Sequence, residues 1–193
     1  LNGYANAGPY MEKYILESFF QQGDAKSGLS RMKRRYEDMV NSKLTTLWED
    51  WRIGGSGGGS INHGWAAGPL TLLSEYVAGI QPVTAGWKSF IIKPQLGDLK
   101  WVNCTVPAGK GTVSVKINKS SKGFEINVKN TLKCTYMIAI PKISAAKNIT
   151  INAKKYDMVS FLKLNSKEVS YLNHDNNFLY ISTSKEKITI VTF

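Results

Sequence analysis

The chain has 193 residues, with 25 Lys and Arg against 14 Asp and Glu, a formal net charge of +11, and 42% hydrophobic and 20% charged residues. Such a length supports one good core or two small ones, and such a balance excludes disordered and fibrous chains. No apolar run approaches the ~20 residues of a membrane-spanning helix, and two Cys with two His make neither a disulfide scaffold nor a recognisable zinc motif.

The charge is unevenly placed. Residues 1–93 hold 10 cations and 8 anions, a net of +2, and residues 94–193 hold 15 and 6, a net of +9. All 15 of the later cations are Lys, spread along the chain without the Arg or aromatic platforms that nucleic-acid readers use. A solvated basic face is expected, with an acidic polysaccharide as the main alternative and no nucleic acid. The one dense basic cluster, Arg31, Lys33, Arg34 and Arg35, is read as a solvated helix face. The opening Leu1–Pro9 has neither an initiator Met nor a signal-sequence pattern, so a fragment or processed product is expected.

Residues 9–22 read as a helix that begins at Pro9 and carries Tyr10, Met11, Tyr14, Ile15, Ser18 and Phe19 as a stripe, widened by Leu16 and Phe20. Gly23 ends it, and Asp24 caps a second helix to about Val40 whose buried side is Leu29, Met32, Tyr36, Met39 and Val40. So short a turn sets the two helices antiparallel. Trp65–Gly79 reads as a third helix with Pro69 near its start. From Lys88 the period changes to two. Strands are expected at Ser89–Lys93, Leu99–Thr105, Thr112–Asn118, Phe124–Asn130, Thr135–Ile140, Lys167–Leu172, Phe178–Thr183 and Lys187–Phe193, separated by Gly-, Ser- and Asn-containing turns. The expected fold class is therefore α+β multidomain: helices over residues 1–87, then an antiparallel β-sandwich over residues 88–193. Cys104 and Cys134 are expected as buried free thiols in preference to a disulfide, and His174, in Asn173-His174-Asp175-Asn176-Asn177, as an exposed loop residue.

The chemistry-bearing stretch is Thr45-Thr46-Leu47-Trp48-Glu49-Asp50-Trp51, the glycine-rich Gly54–Gly59, and Ser60-Ile61-Asn62-His63. Aromatic faces suit pyranose C–H faces, a carboxylate can activate water, and glycines let a backbone approach a ligand closely. The competing reading makes Trp48 and Trp51 core residues and Asp50 a surface partner of Arg52. A third possibility is a non-catalytic carbohydrate-binding sandwich, which would need an exposed row of aromatics on one sheet face.

The order Thr45-Thr46-x-Trp48-Glu49-x-Trp51, then Ser60-Ile61-Asn62-His63, Ala78-Gly79-Ile80-x-Pro82, Gly86-Trp87-Lys88 and Ile91-Ile92-Lys93-Pro94, resembles the C-terminal portion of bacterial α-L-rhamnosidases. Gly109-x-Gly111-Thr112-Val113 and Ile138-Ala139-Ile140-Pro141 extend the likeness into the strands. The resemblance implies that the helices are the last part of an (α/α)6 barrel and that the parent removes terminal α-L-rhamnose with inversion. It implies Glu49 as general base and His63 as a rhamnose ligand, with Trp48 and Trp51 lining or supporting the pocket. The family's general acid lies in an upstream segment that nothing in this chain matches. The resemblance therefore also implies that the missing barrel is the chain's natural partner, that a rhamnose-containing glycoside is the substrate, and that the isolated piece is inactive. No cofactor or metal is expected.

Overall fold

A computed structural model describes residues 7–53, 59–142 and 146–193, and the chain divides into two compact units, residues 1–73 and 74–193. This division falls earlier than the expected boundary after residue 87. The physical reason is Ile80–Pro82, a short strand that pairs with Phe90–Ile92 and so commits the segment before Lys88 to the sheet.

In the first unit, helix α1 spans Pro9–Gln21 with Pro9 in its first turn, and α2 spans Ala25–Asn41. Gly23 takes φ +78° after α1, a left-handed conformation that glycine adopts without steric penalty, and the Asp24 carboxylate accepts from the Ser27 N–H at 3.1 Å to cap α2. The two helices approach closely at Gly28, where an added Cβ would lie 3.2 Å from the Phe19 Cβ. The buried face of α1 is Pro9, Glu12, Leu16 and Phe20. Tyr10, Met11 and Tyr14, expected on the buried stripe, are about half exposed, at 47%, 48% and 48%. On α2, Leu29, Met32, Tyr36 and Met39 are buried as expected, while Val40 is exposed.

The turn of the α1 face has an electrostatic cause. Glu12 is wholly buried, and its carboxylate accepts from Arg31 Nε at 2.6 Å and Arg31 Nη2 at 3.0 Å, with Arg35 Nε 3.5 Å away. Burying a carboxylate requires such partners. The basic cluster is thus split: Lys33 and Arg34 are exposed, whereas Arg31 and Arg35 turn inward to Glu12. The expectation of a solvated face fails for the latter two.

The expected third helix is a run of three kinds of turn: a 3-10 segment Gly64–Ala67, helix α3 at Gly68–Leu72 and a π-helical turn Leu73–Val77. Gly68 has no room for a side chain, since an added Cβ would sit 2.6 Å from the Lys13 Cβ of α1.

The second unit is built of two sheets. The strands are β1 Ile80–Pro82, β2 Phe90–Ile92, β3 Trp101–Ala108, β4 Gly111–Lys119, β5 Phe124–Asn130, β6 Tyr136–Pro141, β7 Asn148–Ile151, β8 Lys154–Asp157, β9 Val169–His174, β10 Phe178–Thr183 and β11 Lys187–Thr192, with a short helix α4 at Met158–Leu162. The five-stranded sheet has the order β1-β2-β6-β10-β9 and the six-stranded sheet β3-β4-β5-β11-β7-β8. All eight expected strands are present, and β1, β7 and β8 are additional. One pairing departs from the antiparallel expectation: β2 and β6 are parallel, with Ile91 opposite Met137 and Ile92 opposite Ile138.

A single apolar core joins both sheets. Phe90, Ile92, Ile138, Ile140 and Ile181 come from the first, and Val113, Val115, Ile117, Ile126, Val128, Ile188 and Ile190 from the second. Each such side chain contributes about 1.5–3 kcal/mol on burial. This facing arrangement is a β-sandwich. Tyr136 is buried in it, stacked on Phe90 at 4.6 Å, with its hydroxyl donating to the Lys185 carbonyl at 3.0 Å. Cys104 and Cys134 are free thiols but only partly buried, and His174 is exposed yet ends strand β9, where it pairs with Leu179 of β10, instead of lying in a loop.

Candidate active site

The site is assembled from two non-helical strands of chain in the first unit, clasped to each other. Glu49 N–H donates to the Ser60 carbonyl at 2.9 Å, and His63 N–H donates to the Leu47 carbonyl at 2.8 Å. The Thr46 hydroxyl donates to the Ile61 carbonyl. These bonds bring the Thr-Thr-x-Trp-Glu segment and the Ser-x-Asn-His segment side by side. Most of the glycine-rich loop between them, Gly54 to Gly58, lies outside the described residues. Gly59 is described, and an added Cβ there would stand 3.2 Å from the Glu49 Cβ and 3.1 Å from the Asp50 carboxylate. Gly59 therefore packs against the two acids so closely that a side chain there would displace a neighbour.

Glu49 and His63 are brought together. Glu49 Oε2 accepts from the Ser60 N–H at 2.8 Å and lies 3.6 Å from His63 Nδ1. Nδ1 is in turn 3.0 Å from the Ser60 hydroxyl. Both side chains are about one-third exposed, open to a ligand yet held at their base. The Ser60 N–H is the main influence holding the Glu49 carboxyl below the usual glutamate range, and His63 adds to it while partial burial opposes it. An ionised carboxylate with one oxygen engaged and the side chain open to solvent can orient and deprotonate a water.

The two tryptophans are placed differently. Trp48 is buried at 5% exposure, and its indole N–H finds no acceptor among the described residues. Trp51 is half-buried. Its indole N–H donates to the Ala7 carbonyl at 2.8 Å, its ring meets Tyr36 edge-on at 5.1 Å, and the Arg35 guanidinium lies 4.2 Å from its centroid. The Trp51 contacts with Tyr36 and Arg35 tie the Trp-Glu-Asp-Trp turn to α2, while Trp48 is simply buried.

Three neighbours had no role in the sequence reading. Ser60 contacts both Glu49 and His63. Trp65 sits 4.0 Å from the His63 ring, centroid to centroid, and its indole N–H donates to the Glu49 carbonyl at 3.3 Å. Tyr10 of α1 lies 5.5 Å from Trp65. The spacing Ser60-x-x-His63 was a visible signal for the first. The Tyr10 contact comes from distant chain and leaves no local signature. Among the described residues no group of three His, Cys, Asp or Glu is placed to hold a metal ion, and no helix is long and apolar enough to cross a membrane.

Comparison with known proteins adds the family context. Residues 79–150 match the bacterial alpha-L-rhamnosidase C-terminal domain. The Alpha-L-rhamnosidase of Alteromonas sp. (strain LOR) is 31% identical over an alignment of 98 residues that covers 46% of this chain and 10% of that protein. Among solved structures, the alpha-L-rhamnosidase from Dictyoglumus thermophilum superposes with a TM-score of 0.80 at 18% identity, over 96% of this chain and 20% of that one. The Streptomyces avermitilis alpha-L-rhamnosidase, solved with L-rhamnose, gives 0.72 at 16% identity, over 93% of this chain and 17% of that one. At those identities the structures establish likeness of fold. The chain thus spans about a tenth of the curated relative's length and a fifth or less of those two structures. With a sandwich matched by sequence at residues 79–150 and by fold beyond them, this chain is related to the C-terminal portion of the bacterial α-L-rhamnosidases.

Proposed function

We propose that this chain is the C-terminal part of an inverting glycoside hydrolase that removes terminal α-L-rhamnosyl groups, with Glu49 as its general base. The observation that carries the reading is the Ser60 clasp, which presents an ionised Glu49 carboxylate beside His63. Inversion needs a carboxylate to polarise water on the face of the sugar opposite the leaving group, and a second carboxyl, several ångströms away, to protonate the departing oxygen. Glu49 fills the first role. The second belongs to a general acid outside these residues, on the preceding part of an (α/α)6 barrel to which α1, α2 and α3 contribute the closing helices. His63 hydrogen-bonds rhamnose hydroxyls, and Trp48 and Trp51 hold the turn that carries Glu49. Kinship with α-L-rhamnosidases supplies the substrate class.

The test is turnover of an aryl α-L-rhamnoside. In the full-length protein, Glu49→Gln should lower kcat by at least about 10³-fold, the scale of a lost general base, while rhamnose still binds. Unchanged turnover would remove Glu49 from the mechanism. The 193-residue chain alone should show no appreciable hydrolysis, and substantial turnover by it would refute the missing-acid reading.

A further inference from the structure

The sandwich carries a second feature that the rhamnosidase reading leaves unexplained. Strand register puts Lys129 of β5 directly opposite Lys187 of β11, and Ser114 of β4 opposite Lys129 on the other side. One step along, Asn103, Lys116, Asn127 and Thr189 form the next row across β3, β4, β5 and β11. The alternate positions, Val115, Val128 and Ile188, are buried, so both rows lie on the outer face of the six-stranded sheet. The rows border one shallow depression of about 310 Å3, closed at one side by Asn152, at the small end of ligand sites.

Like charges directly opposite on neighbouring strands destabilise a sheet. Among the described residues, none of Lys116, Lys129 and Lys187 has a carboxylate within ion-pair distance. Glu125, also on this face, is bonded by the Asn127 and Asn118 carboxamides at 3.0 and 3.3 Å and stands outside the depression; the Lys116 charge acts on it weakly and from beyond ion-pair distance, so it leaves Lys129 and Lys187 uncompensated. Three cations therefore converge with carboxamides and hydroxyls where the fold alone would favour alternating charge.

We propose that this face binds an anionic polysaccharide, with the three ammonium groups taking its carboxylate or sulfate substituents and Asn103 and Ser114 meeting its hydroxyls. The lining has no Arg fork for phosphate or base. One exposed ring, Trp101, stands on the same outer face two positions from Asn103 and outside the depression. A single ring suits a sugar face but gives no run of platforms for successive bases, so a glycan fits better than nucleic acid. The choice of glycan rests in part on the kinship with glycosidases. The site itself does not involve Glu49, so either reading can fail while the other stands.

Affinity electrophoresis and calorimetry of the whole chain against polygalacturonate, dextran sulfate, neutral dextran and single-stranded DNA decide the matter. Binding is expected to one or both charged glycans, to weaken as salt screens the charges, and to be absent for dextran. Which charged glycan binds identifies the substituent as carboxylate or sulfate. Replacing Lys116, Lys129 and Lys187 together by Gln should weaken binding by roughly tenfold or more. Replacing the exposed Lys26, Lys33 and Lys163 should change it less than twofold. Lys187→Gln alone should leave Tm unchanged or raised, since it relieves a repulsion, so a folded variant is available for the binding measurement. No binding to either charged glycan, equal binding to dextran, equal loss in the two triple variants, or tighter binding of DNA at the same ionic strength would each overturn the proposal.

Discussion

Glu49 gains its chemical character from one backbone donor. The Ser60 N–H, helped by His63, stabilises the charged carboxylate more than partial burial penalises it. The sign then follows. A general base works only while deprotonated, so activity falls as pH drops through its pKa, and lowering that pKa moves the fall to more acid conditions. On the role proposed for Glu49, the acid limb of kcat/KM in the full-length protein should therefore lie below the ~4.3 of an ordinary glutamate. A limb at or above that value, measured from pH 3 to 7 with the protein shown to remain folded, would contradict the clasp. The sequence singles out this segment because Trp, Glu and His cluster with glycine in about twenty residues, and the structure does bring Glu49 and His63 to within 3.6 Å. Ser60 was quoted in the motif without a role, because its decisive group is a main-chain N–H, and side-chain chemistry gives no hint of where a main-chain donor points.

At the scale of elements, the helix pair shows how a distant partner overrides local pattern. Reading α1 by periodicity favours Tyr10, Met11 and Tyr14 for the interior. The fold buries Glu12 instead, because Arg31 and Arg35 reach it from α2. Glu12→Gln should leave two guanidiniums without their anion. A loss of about 3 kcal/mol is expected, the low end for breaking a buried pair, since both arginines keep some water; urea denaturation measures it. A change under about 0.5 kcal/mol would show that the triad does not support the helices. The missed strands have an equally local cause. The β7–β8 hairpin turns at Asn152 and Ala153, both with positive φ, at 47° and 68°. This is the backbone of a tight primed turn without the Asn-Gly signature that announces it. Strand β1 is three residues long and ends in Pro, which removes a ladder donor and hides the strand from any propensity argument. Long alternating runs such as β4 and β5 were readable because half their residues must face a core.

For the whole molecule, the division after Leu73 separates two kinds of stability. Residues 74–193 contain the entire apolar cluster that joins the two sheets. They should fold by themselves, giving a single cooperative melt by near-UV circular dichroism. A non-cooperative transition or a molten spectrum would mean that the sandwich depends on the helical unit. The +11 charge also resolves by location. It gathers on the sandwich, where Lys116, Lys129 and Lys187 share one face, while the Glu49 side of the chain is nearly balanced.

The sheet orders bear on how the protein is made. Among the described residues, β10 alone links β6 to β9 in the five-stranded sheet, and β11 alone links β5 to β7 in the six-stranded sheet. Both keystones come from residues 178–192, so neither sheet can be completed while the earlier strands are leaving the ribosome. Until then β5, β6, β7 and β9 each present an unpaired edge, a template for pairing with other chains. Closure of the sandwich waits for residues 178–192, and the interval before they emerge is when these strand edges are most exposed to aggregation.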